Sequence, residues 1–344
     1  MNSATDGRRP LVTFAVIAYN QHKYVREAVR GALSQTYSPL DILLSDDCST
    51  DGTFEIMAEE VNGYHGPHRV ILNRNERNLG ISAHVVRVMK LVRSELVVPN
   101  AGDDVSTPDR VQKVVDAWLE SGRQEVSITS SYEVIDAEGR HVRFERFTGE
   151  RLRNDTRKRI DNSVTVFGAG HCWLKVFFDQ FDDIDSNVVN EDAVIQFRAS
   201  LRGGILILPE VLYRYRIDGK NVSNIGHHLR SGTETSDSNR EIEIAVVHHR
   251  RFIDCLRNFE KDLEKEMTRR PDSSELRSLI ALVQRKRELW ILRTKFFEGG
   301  LSERLRCIYR VAMGRYGLHE LSRMSLFLLA PTLYRYLRNV GSKL

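Results

Sequence analysis

No stretch of this chain is long and apolar enough to cross a membrane. The best candidates, Ile205 to Leu208 and Leu326 to Ala330, fall far short of the roughly 20 nearly uninterrupted apolar residues a spanning helix needs. Cysteine is scarce: Cys48, Cys172, Cys255 and Cys307 lie far apart with no paired spacing, which argues against a disulfide framework or a cysteine-based zinc site and leaves free thiols. A glycine-rich phosphate cradle is missing too, since neither G-x-G-x-x-G after the first apolar run nor G-x-x-x-x-G-K-[ST] occurs. There is no internal repeat or low-complexity tract. Basic residues interleave with aliphatics and match no nucleic-acid motif, so no nucleic-acid partner is expected. The first ten residues carry Asp6, Arg8 and Arg9, and the apolar run after them lacks a small-residue cleavage pattern. A secretory leader is therefore not expected, and the expected location is the cytoplasm.

What is present suits a globular protein. The 344 residues are 41% hydrophobic, 8% aromatic and 28% charged, enough for a sizeable core and for two units. The net charge of +4 is uneven. Residues 231 to 344 hold 22 Lys and Arg against 15 acids, whereas the first 230 hold 29 against 32. Residues 11 to 18 form a short apolar run that reads as a strand buried on both faces, followed by an amphipathic segment over 22 to 35. The alternation repeats, with runs at Ile42 to Leu44, Val70 to Leu72 and Glu95 to Pro99, each followed by a helical segment. Such alternation implies a mostly parallel sheet flanked by helices, with ligands bound beyond the carboxyl ends of the strands. After about residue 124 alternating runs and short helices take over, and beyond Ser231 a polar linker opens onto a charged helical stretch interrupted near Pro271. The expected domains are 1–230 and a helical appendage over 231–344.

The expected strand ends are rich in carboxylates. The second closes in Ser45, Asp46, Asp47, Cys48, Ser49, Thr50, Asp51, Gly52, Thr53, and the fourth in Asn100, Ala101, Gly102, Asp103, Asp104. Aspartate favours turns and helix caps, and Asp51 reads as part of a helix-opening turn. Two Asp pairs at one rim ask for more, because adjacent like charges raise each other's pKa and need a positive partner. Mg²⁺ or Mn²⁺ commonly bridges one or two carboxylates to a diphosphate.

Several elements in order resemble the family 2 glycosyltransferases of the GT-A fold over about residues 11–224. They are Ala18, Tyr19, Asn20; Ser34, Gln35, Thr36, Tyr37; the Asp46 to Thr53 string; Asn78, Leu79, Gly80; Gly102, Asp103, Asp104 with Pro108, Asp109, Arg110; and Glu191, Asp192 with Arg198. The resemblance implies a GT-A-type, Rossmann-like mixed, mostly parallel sheet and an inverting, metal-dependent transfer of a sugar from a nucleotide-diphosphate donor. Ala18, Tyr19, Asn20, Asp46, Asp47, Asn78, Gly80 and Asp103 would bind the nucleotide. Asp46 would accept the ring N3–H that uracil has and cytosine lacks. Asp104, with Asp103 beside it and nearer the ribose, would hold Mn²⁺ or Mg²⁺. Asp192 would be the base, paired with Glu191, though both also read as acids in a first helical turn. Gly102 stands where the family often has an acid, and Asp218 stands where it usually has a metal-binding His, so Asp218 is either a third ligand or a bystander. Arg198 either braces Glu191 or is a plain exposed arginine. Trp173 either stacks on an acceptor or packs in the core, and His171, His227 and His228 read as bystanders.

The acceptor implied is a saccharide or lipid-linked saccharide in surface polysaccharide synthesis. From residue 301 onward eight basic residues stand against two acids around an apolar cluster that includes Met324 and Phe327. This suits a helix on the anionic inner face of the membrane, or one packed on the catalytic domain or a second subunit. A sugar-nucleotide pyrophosphorylase would need a glycine-rich basic loop after the first strand, which Ala18 to Gln21 does not provide. The remaining competitor is an inactive GT-A domain serving as a binding or scaffold subunit.

Overall fold

The computed structural model describes residues 9–149, 151–152, 156–161, 170–218, 238–314, 316 and 324–325. The chain divides into two compact units, Met1–Asp218 and Gly219–Leu344. The division falls after the last strand, earlier than the polar linker suggests.

In the first unit the apolar run after Pro10 becomes β1 (Val12–Ala18), with Val12, Phe14, Ala15 and Val16 wholly buried. Strands β2 (Leu40–Asp46), β3 (Arg69–Arg74) and β4 (Leu96–Ala101) join it in parallel, separated by helices α1 (Val25–Leu33), α2 (Thr53–Asn62) and α3 (Ile81–Leu91). Helix α1 buries Val25, Ala28, Val29 and Ala32, the apolar face visible in its spacing. Strand β3 lies at the sheet edge and is only half-buried, which explains its short, weak hydrophobic run.

Next come β5 (Val105–Ser106), α4 (Arg110–Glu120), β6 (Ser127–Ile135), β7 (His141–Glu145), β8 (Arg151–Leu152), α5 (Thr156–Ile160), β9 (Cys172–Leu174), α6 (Lys175–Phe178), α7 (Glu191–Ser200) and β10 (Ile205–Arg216). The sheet runs β3-β2-β1-β4-β9-β6-β10-β5, with β7 on β6 and β8 on β10. Strand β9 is antiparallel to both β4 and β6, while β10 returns parallel to β6, so the sheet is mixed. The two runs at 205–208 and 211–215 form one strand, with register shifts around the exposed pair Pro209 and Glu210. Strand β10 thereby delivers Arg216 to the same end of the sheet as Ile135.

The second unit is helical: α8 (Ser238–Arg269), α9 (Ser274–Glu298) and α10 (Leu301–Met313). The break near Pro271 is real, and Ser273 Oγ caps α9 by accepting from Leu276 N–H. Leu289, Leu292, Phe296, Cys307 and Val311 pack into one cluster. No helix among the described residues is long and apolar enough to cross a membrane.

Candidate active site

Strands β1, β2 and β4 end at one level. Ala18 is in register with Asp46 and Ile17 with Ala101, and the chains leaving the strands are tied by Asp47 N–H to Ala18 O (2.9 Å) and Gly102 N–H to Ile17 O (3.0 Å). The loop after β1 is fixed by its neighbour: Ser49 Oγ accepts from Asn20 N–H, Thr53 Oγ1 from Gln21 N–H, and Asn20 Oδ1 from Thr50 N–H. Asn20 holds φ 50°, a left-handed conformation that asparagine tolerates, and Tyr19 and Asn20 present themselves to solvent.

The Asp46–Asp47 pair divides its work. Asp46 is fully buried. Its Oδ2 accepts from Ser49 N–H at 2.9 Å and lies 3.7 Å from Arg74 Nε, while Oδ1 has no hydrogen-bond partner. Asp47 turns inward: Oδ1 accepts from Asn75 Nδ2 and Leu79 N–H, and Oδ2 from Gly80 N–H. Asn78 Oδ1 also accepts from Gly80 N–H, and Gly80 needs its φ of 81° to start α3. The side-chain oxygens of Asp47 and Asn78 are thus engaged by the 75–80 loop and position that wall, and Asn78 stays exposed. Asp51 is the helix-opening residue expected: it accepts from Thr53 N–H and Oγ1 and from His22 N–H. Burial opposes its charge, but these bonds outweigh it and hold its carboxyl at about 2.

The β4 end is different. Asp104 is buried, Oδ1 accepts from Arg216 N–H at 2.9 Å, and Oδ2 has no hydrogen-bond partner. Burial, and then the neighbouring Asp103 charge, push its carboxyl well above the usual range. Asp103 is half-exposed and is also raised, by burial and by Asp218, against hydrogen bonds from its own backbone and Gln21 and the charge of Arg216. The absence of an acid at 102 has a steric cause. A Cβ there would lie 2.6 Å from Ala18 Cβ and 2.3 Å from Gln21 Oε1, so only glycine lets the β1 and β4 ends approach this closely.

Arg216 is the residue that sequence reasoning missed. Its buried guanidinium donates to Asp103 O (Nε, 3.0 Å), to Asp136 O and Ala137 O (3.3 and 3.4 Å) and to Glu27 Oε2 (2.9 Å), and it lies over the Tyr24 ring. Arg110, also buried, donates to Asn100 Oδ1, Ser106 Oγ and Pro99 O behind the same turn. Neither role has a sequence signal beyond adjacency to the motifs, because which way an arginine points is decided by tertiary contacts.

Glu191 and Asp192 open α7, joined to the rim by Ser82 Oγ donating to Val188 O at 2.7 Å. Asp192 Oδ1 accepts from Ala193 N–H at 2.8 Å. Both carboxyls are partly accessible, and burial raises both; the Asp192 charge raises Glu191 further. Arg198 is buried with its guanidinium 4.9 Å over the Phe181 ring, which overturns the exposed-arginine reading. Trp173 is a core residue of β9, paired with Val97 and Ser127, so acceptor stacking by its ring is also corrected. His171 is wholly buried against Ser127 Oγ, and burial pushes it down to about 3. His227 and His228 lie outside the described residues.

Among the described residues no group of three or more His, Cys, Asp or Glu is gathered tightly enough to hold a metal. Asp218 is close enough for its charge to bear on Asp103, but the expected trio Asp103, Asp104 and Asp218 is not a preformed cage. The orphaned Oδ2 of Asp104 and the hard oxygens beside it nonetheless fit a divalent cation shared with a ligand's own oxygens.

The mixed, mostly parallel sheet flanked by helices is of the GT-A type. Residues 13–180, just under half of the chain, match the model of Glycosyl transferase family 2. An uncharacterized protein of Mycobacterium tuberculosis is 29% identical over 209 residues, 58% of this chain and 57% of the relative. Chondroitin synthase of Escherichia coli is 27% identical over 65% of this chain and 31% of its own length. The chain thus spans well under two thirds of these relatives. S. aureus TarS 1-349, solved in complex with UDP-GlcNAc, superposes with a TM-score of 0.55 at 14% identity, covering 92% of this chain and 91% of that one, a likeness of fold.

Proposed function

We propose that this chain transfers one sugar from a UDP-linked donor to a hydroxyl of a saccharide or lipid-linked saccharide acceptor, with inversion, in surface polysaccharide synthesis. The observation that carries the reading is the pair of buried carboxylates with orphaned oxygens, Asp46 Oδ1 and Asp104 Oδ2, at the ends of β2 and β4 on one rim. A buried carboxylate oxygen without a partner is costly unless a ligand completes it. The ring N–H of uracil suits Asp46, with the Ala18–Asn20 backbone alongside and Gly80 at the wall. Asp104, with Asp103 and Asp218, would hold Mn²⁺ or Mg²⁺, which when bound neutralises the departing diphosphate. Asp192 takes the proton of the acceptor hydroxyl as its oxygen bonds to the anomeric carbon and the bond to the diphosphate breaks. The family match, the name of the chondroitin synthase relative and the UDP-GlcNAc complex of the structural neighbour support this class of donor and product.

Calorimetric titration with UDP tests it directly. Binding that strengthens at least about tenfold on adding Mn²⁺ is expected. No UDP binding in either condition, with GDP or dTDP bound instead, would remove Asp46 from the uracil role. The lack of a preformed three-ligand cluster among the described residues favours a second reading, a nucleotide-binding subunit without transfer activity; UDP release from UDP-sugars in the presence of Mn²⁺ separates the two.

The protein would work in the cytoplasm at the inner membrane face. Leu301, Leu305, Tyr309 and Met313 recur every four residues along α10, all more than half exposed, with Arg306 and Arg310 beside them. That pattern suits an anionic lipid surface as well as a second copy of the chain. The apolar cluster from Leu326 lies outside the described residues. Liposome flotation decides. The full chain should rise with phosphatidylglycerol vesicles and Leu305→Glu/Tyr309→Glu should not; equal behaviour would eliminate the membrane contact.

A further inference from the structure

We propose that Arg216 is a positioning residue that sets the Asp103–Asp104 turn in its ligand-ready geometry; the inference rests on that turn being part of the donor site. One guanidinium gathers three separate elements: the turn after β4 through Asp103 O, the β6–β7 hairpin turn through Asp136 O and Ala137 O, and α1 through Glu27 Oε2. Its own main-chain N–H completes the grip by donating to Asp104 Oδ1. The side chain is 1% exposed, and one face is closed by the Tyr24 ring at 4.6 Å.

The consequence is selective. With Oδ1 taken by Arg216 N–H and the Asp103 carbonyl held by Nε, the rotation of the Asp104 carboxylate is fixed and Oδ2 is the oxygen left over. From the other side Gln21 hydrogen-bonds the Asp103 carboxylate, and Gly102 packs on Ala18. The turn therefore has no slack, and its remaining donor capacity is what a ligand would use. Lysine keeps the charge but cannot reproduce this: an ammonium on a flexible stem lacks the planar fork that reaches acceptors on three elements at once.

Amide hydrogen exchange on the ligand-free full chain, paired with UDP titration, tests the assignment. In Arg216→Lys, amides of residues 102–105 and 136–139 should exchange at least about tenfold faster while β1 to β3 keep wild-type protection, as losing charge-assisted bonds from a local clasp requires. UDP affinity in Mn²⁺ should fall about tenfold, and metal-free UDP affinity should change less than about twofold. Should Arg216→Lys fold poorly, Glu27→Gln at the half-exposed end of the clasp gives the same pattern at smaller amplitude. Exchange unchanged at both turns, exchange raised equally throughout the unit, or local loosening with undiminished UDP affinity in Mn²⁺ would each overturn the proposal. If wild-type protein binds no UDP, the donor reading fails, and the exchange pattern still decides whether Arg216 sets the turn.

Discussion

Asp192→Asn is expected to cut turnover by about 10²–10⁴-fold while UDP affinity in Mn²⁺ changes little, because a general base acts on the acceptor proton and not on the nucleotide. One oxygen accepts from Ala193 N–H, which fixes the carboxylate at the first turn of α7, and the residue remains partly accessible. Burial raises both carboxyls of the pair, and the Asp192 charge raises Glu191 further. Since the base must be deprotonated, kcat/KM should rise with pH through the raised range of Asp192, above the ordinary carboxylate values. For stability the sign is opposite to that of a salt-bridged acid. The folded pair binds protons more tightly than the unfolded chain, so its contribution is present below the ordinary carboxylate pKa and is lost as pH rises through the raised values. An acidic limb at ordinary carboxylate pH, or an Asp192→Asn enzyme with near-normal turnover, would place the base elsewhere.

Asp104→Asn is expected to abolish the Mn²⁺-dependent part of UDP binding, a loss of about tenfold to a hundredfold, together with transfer, while metal-free UDP binding persists. The amide oxygen can still accept from Arg216 N–H, so the turn should stay folded, and what disappears is the charge behind the orphaned Oδ2. Calorimetry with and without Mn²⁺ reads this directly. An Asp104→Asn protein that retains the full metal effect would move the cation to other oxygens.

Much of this architecture is legible in the linear chain because hydrophobic periodicity reports which face each segment buries. The runs that became β1, β2 and β4 and the paired apolar positions of α1 follow from burial alone. The late strands are less readable. Strand β10 spans two runs because a bulge absorbs Pro209 and Glu210, and β9 is three residues next to a helix, so neither has a period long enough to see. The candidate site divides similarly. That aspartates collect at strand ends is visible; how they share their oxygens is not. Asp46 and Asp47 are adjacent in sequence and chemically identical, yet one keeps an oxygen free and the other has none, a difference created by the loop at 75–80 and the start of α3. Arg198 is ambiguous and Arg216 invisible in the sequence for the same reason, since a buried guanidinium needs acceptors or rings that come from distant segments.

The inward clasp of Asp47 carries one more consequence. Because the backbone amides of Leu79 and Gly80 are fastened during folding, any molecule arriving beside them meets a wall whose freedom has already been lost, and capture need not freeze that loop a second time. Loosening the clasp would then slow or weaken capture without removing a single atom that the visitor touches.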